Sequence, residues 1–417
     1  MRRRWPAARP EYPHPQILVT RDPYDEVSAV QASRQGTNGP ETGPRTIGVG
    51  LIGIGFMGGI HARAYRSVPW IFPNATAQPD IRIVADVSLE AARTFAQRFD
   101  IPAWTDDWRA LLDRPDVDLI DICTQPSQHQ RIATAVAAAG KHVYCEKPVG
   151  RGLDETLAIW DAVRAAGVAS FVGFNYRMAP AVMLAKEIVG SGRIGEIRQA
   201  KVSFRTSYDF DAERPVPWRW RFSAEEAGPG ALADLGSHVF DLALHLAGPI
   251  KRLCGTTSII VPERDDPDPT QPGARRAVDN DDAFAALVEF ASGATGIVDA
   301  CRVAAGSKGE LTFDVMGSAG AVRWDFRRMN ELQVCYLSTA ETEQGFTTIQ
   351  TGPANGPYGQ FIPSPLGLGY ADTKVIETTR LIEAVAKGET ISPNIGDVVE
   401  VARLIDAVQR GGWVEIG

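Results

Sequence analysis

Four side chains capable of acid–base work recur at helical spacing in the second half of the chain: Asp234, His238, Asp241 and His245, separated by four, three and four residues. That spacing projects them from one face of a helix. Three chemistries are open to such a stripe. Asp234 and His238 could form an acid–base pair, the imidazole taking the proton of a secondary alcohol while a hydride leaves the same carbon. The same residue types hold zinc or a similar ion. A polar helix face with i,i+4 pairs needs neither. Just upstream, Pro217-Trp218-Arg219-Trp220-Arg221 supplies aromatic and cationic groups suited to a sugar ring or polyol, and Gly228-Pro229-Gly230 separates it from the helix.

Such chemistry needs a partner for the hydride, and the first half of the chain is built to hold one. An apolar run from Ile47 to Ile52 empties into Gly53-x-Gly55-x-x-Gly58, with Phe56 and Met57 between the last two glycines, and the following residues read as helix. Strand, glycine turn and helix in that order suit a dinucleotide. Gly53 permits the tight turn, Gly55 lets backbone amides approach a pyrophosphate, Gly58 lets helix and strand pack closely, and the helix N-terminus attracts phosphate. After a proline-interrupted piece, Val68 to Pro79, a second strand from Ile81 to Ala85 ends at Asp86. A carboxylate there accepts hydrogen bonds from ribose hydroxyls and repels a 2′-phosphate, which favours NAD over NADP; capping the helix near Leu89 is its other possible use. Val117 to Cys123 reads as a central strand whose mouth carries Thr124 and Pro126, both candidate cofactor neighbours. His129 reads as an ordinary residue at the start of the next helix. The segment Lys141 to Pro148 is a short strand ending in Glu146, Lys147 and a proline. A lysine beside a cationic nicotinamide has its pKa lowered by like charge and desolvation, which suits a proton donor or positioner; a surface Glu–Lys pair is the alternative.

These elements predict a doubly wound parallel sheet. Beyond Ala169 the pattern changes to strand-like runs over 196–205, 250–261, 283–290, 294–303, 310–316, 320–326 and 331–337, several separated by Ser-Gly or Gly-Ser turns. They predict an open, mostly antiparallel sheet in an α+β half, with helices over 180–189, 374–386 and 395–409 and a loop over 262–279. The expected division is a disordered tail over 1–45, rich in proline and without apolar period, a nucleotide domain over 46–170 and a substrate and assembly domain over 171–417. A net charge of −8 argues against a nucleic-acid-binding face. Five scattered cysteines without a Cys-x-x-Cys pair indicate neither a disulfide framework nor a zinc knuckle. The tail lacks the apolar core of a secretion signal and no run is long enough to span a membrane, so a cytoplasmic protein is expected.

Taken together, GIGFMG at 53–58, Asp86, CTQPSQH at 123–129, CEKP at 145–148, GFNYR at 173–177 and DLGSH at 234–238 resemble the Gfo/Idh/MocA oxidoreductase family over about residues 46–417. The resemblance implies a Rossmann domain followed by the open sheet, NAD(P) in the cleft between them with Glu146 among its neighbours, and dimers or tetramers joined through the sheet. It implies a catalytic set of Lys147, Asp234 and His238 working without metal: His238 as general base, Lys147 on the reacting oxygen and nicotinamide ribose, Asp234 positioning the substrate or tuning His238. Family substrates are sugars, sugar derivatives and inositols, so Arg177 and Arg219 become hydroxyl-binding candidates. Oxidation of a sugar at C3 during glycoside cleavage or biosynthesis, and nucleotide sensing without turnover, are the alternatives; the presence of both Lys147 and His238 favours the enzyme.

Overall fold

A computed structural model describes residues 44–207, 216–270, 272–361 and 367–416, and residues 44–417 form one compact unit. The tail expected over 1–45 lies outside the described residues up to position 43. The first half alternates strands and helices: β1 (Arg45–Ile52), α1 (Phe56–Ile71), β2 (Ala77–Ala85), α2 (Leu89–Arg98), β3 (Trp104–Thr105), β4 (Leu119–Ile122), α3 (Pro126–Ala138), β5 (His142–Cys145), α4 (Leu153–Ala166) and β6 (Ser170–Val172). Its six strands are parallel in the order β3-β2-β1-β4-β5-β6. The order reverses between β1 and β4, and the crevice outside the carboxyl ends of those strands is where such a sheet takes its ligand.

The proline-rich piece is less irregular than its composition suggests. Helix α1 runs through Pro69 to Ile71, giving up the hydrogen bond that Pro69 cannot donate, and β2 begins at Ala77 rather than Ile81. Pro79 is tolerated because β2 pairs with β1 there, whereas β3 reaches it only at Val84 and Ala85, leaving the other edge of Pro79 without a ladder to donate to.

The second half follows with α5 (Pro180–Gly190), β7 (Ile197–Thr206), α6 (Ala224–Ala227), α7 (Ala231–Asp234), α8 (Gly236–Ala247), β8 (Ile250–Ser258), β9 (Glu263–Asp265), β10 (Arg275–Ala277), β11 (Ala283–Phe290), β12 (Thr295–Cys301), β13 (Lys308–Gly317), β14 (Gly320–Asp325), β15 (Glu331–Tyr336), β16 (Thr347–Gln350), α9 (Tyr358–Phe361), α10 (Tyr370–Lys387), α11 (Ile395–Arg410) and β17 (Gly412–Glu415). Nine strands form one sheet in the order β16-β15-β14-β13-β7-β12-β11-β8-β17, antiparallel except for the β7–β12 pair. The loop expected over 262–279 carries a small antiparallel ribbon, β9 with β10. One face of the large sheet is covered by α8, whose Val239, Phe240, Leu242, Ala243 and Leu246 join Phe284, Val298 and Phe313 of the strands in one core.

The packing crosses the boundary expected at residue 170. Helix α10, nearly two hundred residues after the first sheet, buries Leu381, Ile382, Ala384 and Val385 against Ile47, Val49 and Leu51 of β1 and against Ala62 and Tyr65 of α1. A parallel sheet needs apolar cover on both faces. The chain supplies part of that cover from its C-terminal end.

Candidate active site

Between the carboxyl edge of the first sheet and the inner face of the second lies a cleft of about 880 Å³. Gly53, Gly55, Phe56, Met57, Asp86, Thr124 and Pro126 line one end; Lys147, Asp234, His238, Arg219, Trp220 and Arg221 line the other, with Glu146 and Asn175 between.

The glycine turn has the geometry a pyrophosphate needs. Gly53 has φ +90, and a Cβ on it would meet the Cys123 backbone at 2.8 Å. Gly58 does not open on the cleft; a Cβ there would meet Gly53 O at 2.1 Å, so its part is close packing of turn against helix. At Gly55 nothing lies within 4 Å, leaving open space in front of the N-terminus of α1. The Asp86 carboxylate accepts from the Ile54 and Ser88 N–H groups and faces the cleft. Ser88, not Asp86, caps α2. Phosphates on Gly55 and the first turn of α1, with a ribose at Asp86, therefore fit the residues present.

His129 proves to be more than a first-turn residue. It is buried on α3, its ring nitrogens 3.0 Å from Thr124 O and 2.9 Å from Pro148 O, so it braces the two loops that flank the cleft.

At the other end, β5 delivers Lys147 to its strand mouth. Its Nζ donates to Asp234 Oδ1 at 2.6 Å and to the Asp234 carbonyl at 2.9 Å, and Arg221 Nη1 lies 3.6 Å from Asp234 Oδ2. Asp234 does not share a helix with His238: α7 ends at Asp234, and α8 starts at Gly236. Asp281 fixes that entry, its carboxylate accepting from the Gly230 and Leu232 N–H groups at 2.8 and 2.7 Å. Arg302 and Asn280 donate to the Arg221 carbonyl, and Arg302 is itself held by Asp282 at 2.8 Å. A buried polar cluster on the sheet thus sets the backbone that carries Arg221 and Asp234.

His238 is buried between aromatic rings, with Tyr176 at a centroid distance of 4.8 Å and Phe174 and Phe204 within about 6 Å. Burial, and then the positive charge of Lys147, push its pKa well below the ordinary value. Its Nδ1 is buried without a hydrogen-bond partner. A neutral imidazole lining the cleft, next to a lysine ammonium and a carboxylate, can take a proton from a hydroxyl placed among them.

The rest of the stripe does something else. Asp241 is buried and receives both arms of Arg177, Nε at 2.8 Å and Nη2 at 2.6 Å, while Arg177 Nη1 donates to Ser392. The hydroxyl-binding role expected for Arg177 does not match this position: its side chain is spent on a buried ion pair and does not line the cleft. Burial still raises Asp241 to about 6, with Arg177 pulling the other way. His245 also lies off the cleft. The four residues therefore meet at no common point, and the stripe does not form a ligand shell.

The largest group that sequence reasoning passed over lies beneath the cleft. His61 of α1 places Nδ1 2.8 Å from Asp121 Oδ2 and Nε2 2.9 Å from Glu146 Oε1; Lys374 of α10 donates to Glu146 Oε1 at 2.7 Å and pairs with Glu377 at 2.8 Å. Burial opposes a charge on His61, but Asp121 and the two carboxylate bonds outweigh it and hold the pKa at about 9. Glu146 is likewise opposed by burial and held well below the usual carboxylate range by Lys374 and His61. His61, Asp121 and Cys123 are the group among the described residues with metal-ligand proximity, and hydrogen bonds among themselves already account for their contacts. Only the place of His61, one turn after Gly58, could have flagged it in the sequence.

A doubly wound sheet with a phosphate-ready glycine turn, facing an acid–base cluster across a cleft, defines a dinucleotide-dependent oxidoreductase. Residues 47–174 match the oxidoreductase family NAD-binding Rossmann fold, and residues 182–323 match the GFO/IDH/MocA C-terminal domain. The levoglucosan dehydrogenase of Pseudarthrobacter phenanthrenivorans is 40% identical over 370 residues, covering 85% of this chain and 93% of that protein. The myo-inositol 2-dehydrogenase of Thermotoga maritima is 26% identical, covering 80% of this chain and 98% of its own. A solved levoglucosan dehydrogenase in complex with NADH and levoglucosan superposes with a TM-score of 0.85 at 37% identity, covering 89% of this chain and 100% of that one. The chain belongs to the Gfo/Idh/MocA oxidoreductase family, and it is an NAD-dependent dehydrogenase acting on a CH–OH group.

Two outcomes are expected from this arrangement. Arg177→Met leaves Asp241 buried without its cation and costs about 3 to 5 kcal/mol of stability, while the sugar KM of the folded fraction stays unchanged; denaturant unfolding beside steady-state kinetics checks both, and a raised KM with unchanged stability would return Arg177 to the substrate site. The folded-state pKa of His61 is raised from 6.5 to about 9. Its contribution is fully present below the unfolded value and is lost as pH rises through the folded one. Unfolding free energy should therefore fall between those two pH values, and His61→Asn should flatten that part of the curve.

Proposed function

We propose that the protein oxidises one secondary hydroxyl of a pyranose-type sugar, reversibly, with NAD as the hydride acceptor, and that levoglucosan heads the candidate substrates with inositols next. The observation that carries this reading is the convergence of the Lys147 ammonium, the Asp234 carboxylate and the neutral, buried His238 in one cleft with the glycine turn. Lys147 hydrogen-bonds the reacting oxygen and stabilises negative charge as it develops there. His238 accepts the hydroxyl proton. Asp234 holds Lys147 in place and leaves its second oxygen toward Arg221 and the substrate. Arg219 and Trp220 provide a cation and a ring face for the remaining hydroxyls and the apolar sugar face. When bound, the nicotinamide receives the hydride from the carbinol carbon. Asp86 selects NAD over NADP by hydrogen-bonding to the ribose. The named relatives, a levoglucosan dehydrogenase and an inositol dehydrogenase, support the substrate class.

We further read residues 46–170 as the nucleotide lobe and 171–417 as the substrate lobe, with α10 lent back to the first. We place the enzyme in the cytoplasm; among the described residues no helix is long and apolar enough to cross a membrane. Assembly into dimers or tetramers through the open face of the large sheet is supported by a row of exposed residues across paired strands. Trp413 lies opposite Cys254, Cys254 opposite Leu287 and Leu287 opposite Ile297, with Trp413, Leu287 and Ile297 at 57, 53 and 40% exposure.

The decisive assay follows nicotinamide absorbance with NAD and NADP against levoglucosan, free pyranoses, L-sorbose and inositols. Turnover with one sugar and NAD is expected, and His238→Asn should lower kcat by about 10²- to 10⁴-fold, the range for loss of a general base. The acid limb of kcat/KM should lie well below the ordinary histidine range, because burial and Lys147 disfavour protonated His238. A limb at the ordinary value, or unchanged turnover in His238→Asn, would refute the assignment. For the assembly, Leu287→Glu should convert the sedimenting species to monomer; an unchanged sedimentation coefficient would place the interface elsewhere.

A further inference from the structure

Lys374 is a fully buried lysine whose role the reaction as described does not require. It projects from the first turns of α10 to the underside of the cleft, where Nζ bonds Glu146 Oε1 at 2.7 Å, Glu377 Oε2 at 2.8 Å and Tyr144 OH at 3.2 Å, satisfying all three of its donors. Glu146 is the residue before Lys147. Its other oxygen accepts the Lys147 backbone N–H at 3.2 Å, and His61 completes its shell. The chain has also made room for this pair: a Cβ on Gly173 would meet Glu146 Oε1 at 2.4 Å and Lys374 Nζ at 2.9 Å. One helical position earlier, Thr373 Oγ1 accepts from Asn175 Nδ2 at 2.7 Å, and Asn175 lines the cleft.

We propose that Lys374 is a positioning residue for the cofactor end of the active site: it holds the Glu146 carboxylate, and through it the Lys147 peptide, in the conformation that binds nicotinamide and presents the Lys147 ammonium. A lysine used only to anchor α10 would have no need to end on the residue adjoining Lys147. Without Lys374, Glu146 keeps only His61 as a cation, and shares it with Asp121; a buried carboxylate so under-compensated must protonate or move toward water. The nearest water-accessible volume is the cleft, so the displacement falls on the cofactor site.

The test is a double-mutant cycle with Lys374→Met and Glu146→Gln on the full-length chain, read by NADH fluorescence titration, by kcat and sugar KM, and by thermal unfolding. Lys374→Met should weaken NADH binding about tenfold and lower kcat by more than it raises the sugar KM, since an uncompensated buried charge costs more than a missing bond. Adding Glu146→Gln removes that charge and should recover most of the NADH affinity. Equal loss in the single and double variants, or NADH affinity unchanged in Lys374→Met, would reduce Lys374 to a packing element and overturn the proposal. If Lys374→Met does not fold, the cycle is run on a Glu377→Gln background, which removes the second carboxylate that Lys374 pairs with; recovery of NADH binding on adding Glu146→Gln there carries the same support, and no recovery overturns the proposal. The inference rests on the dehydrogenase reading only for its kinetic arm. Absence of turnover in the unsubstituted protein would fail that reading, while the NADH titration would still decide the place of Lys374.

Discussion

The site depends on one ion pair made across two parts of the chain that lie far apart in sequence: the ammonium of Lys147, at the end of a parallel strand, on the carboxylate and carbonyl of Asp234, at the end of a short helix over the second sheet. Each partner is only partly shielded, at 17 and 22% side-chain exposure. An ion pair so placed keeps its Coulombic attraction without the full desolvation cost of burial, and both groups remain available to a ligand. His238 reaches the cleft from the first turn of α8 and meets the rings of Tyr176, Phe174 and Phe204, which remove it from water and leave it neutral.

Holding that pair in register falls to two clusters of buried polar groups. On the Asp234 side, Asp281 caps the entry to α7 while Asn280 and Arg302 fasten the Arg221 backbone. On the Lys147 side, His61, Glu146 and Lys374 form a buried chain of alternating charge from α1 to α10. Both clusters obey the same rule. A charge taken into the interior must be met by its opposite and by hydrogen bonds, or the backbone it anchors will shift. The Arg177–Asp241 pair applies that rule in the core, where it braces structure and does not line the cleft.

The larger architecture was legible because it rests on short-range patterns. The run into Gly53, the strand ending at Asp86 and the glycine at 58 could be read residue by residue, since each answers a local steric or hydrogen-bonding need, and most strand and helix limits in the second half differ from the expected ones by a few positions. The errors were local conflicts settled by pairing. Pro79 joined a strand because only one of its edges needed a ladder, and the loop over 262–279 gained a ribbon because β9 and β10 could meet. Arg177 was misplaced for a different reason: its spacing and type suit either a sugar hydroxyl or a buried carboxylate, and nothing in the sequence says that Asp241 turns inward.

By itself, the sequence pointed to a strand–glycine turn–helix of the dinucleotide-binding kind and to Asp86 at the end of the next strand, and it offered Lys147, Asp234 and His238 as residues whose types suit removal of hydrogen from an alcohol. Those are properties of residue type and near spacing. Only the tertiary structure decided which of the four stripe residues face the cleft, that α10 returns across the chain to cover the first sheet, and that Lys374 ends on Glu146 more than two hundred positions away. The reason is physical. Burial and charge compensation are set by which surfaces meet in space, and a contact of long sequence separation leaves no periodic trace in the chain that makes it.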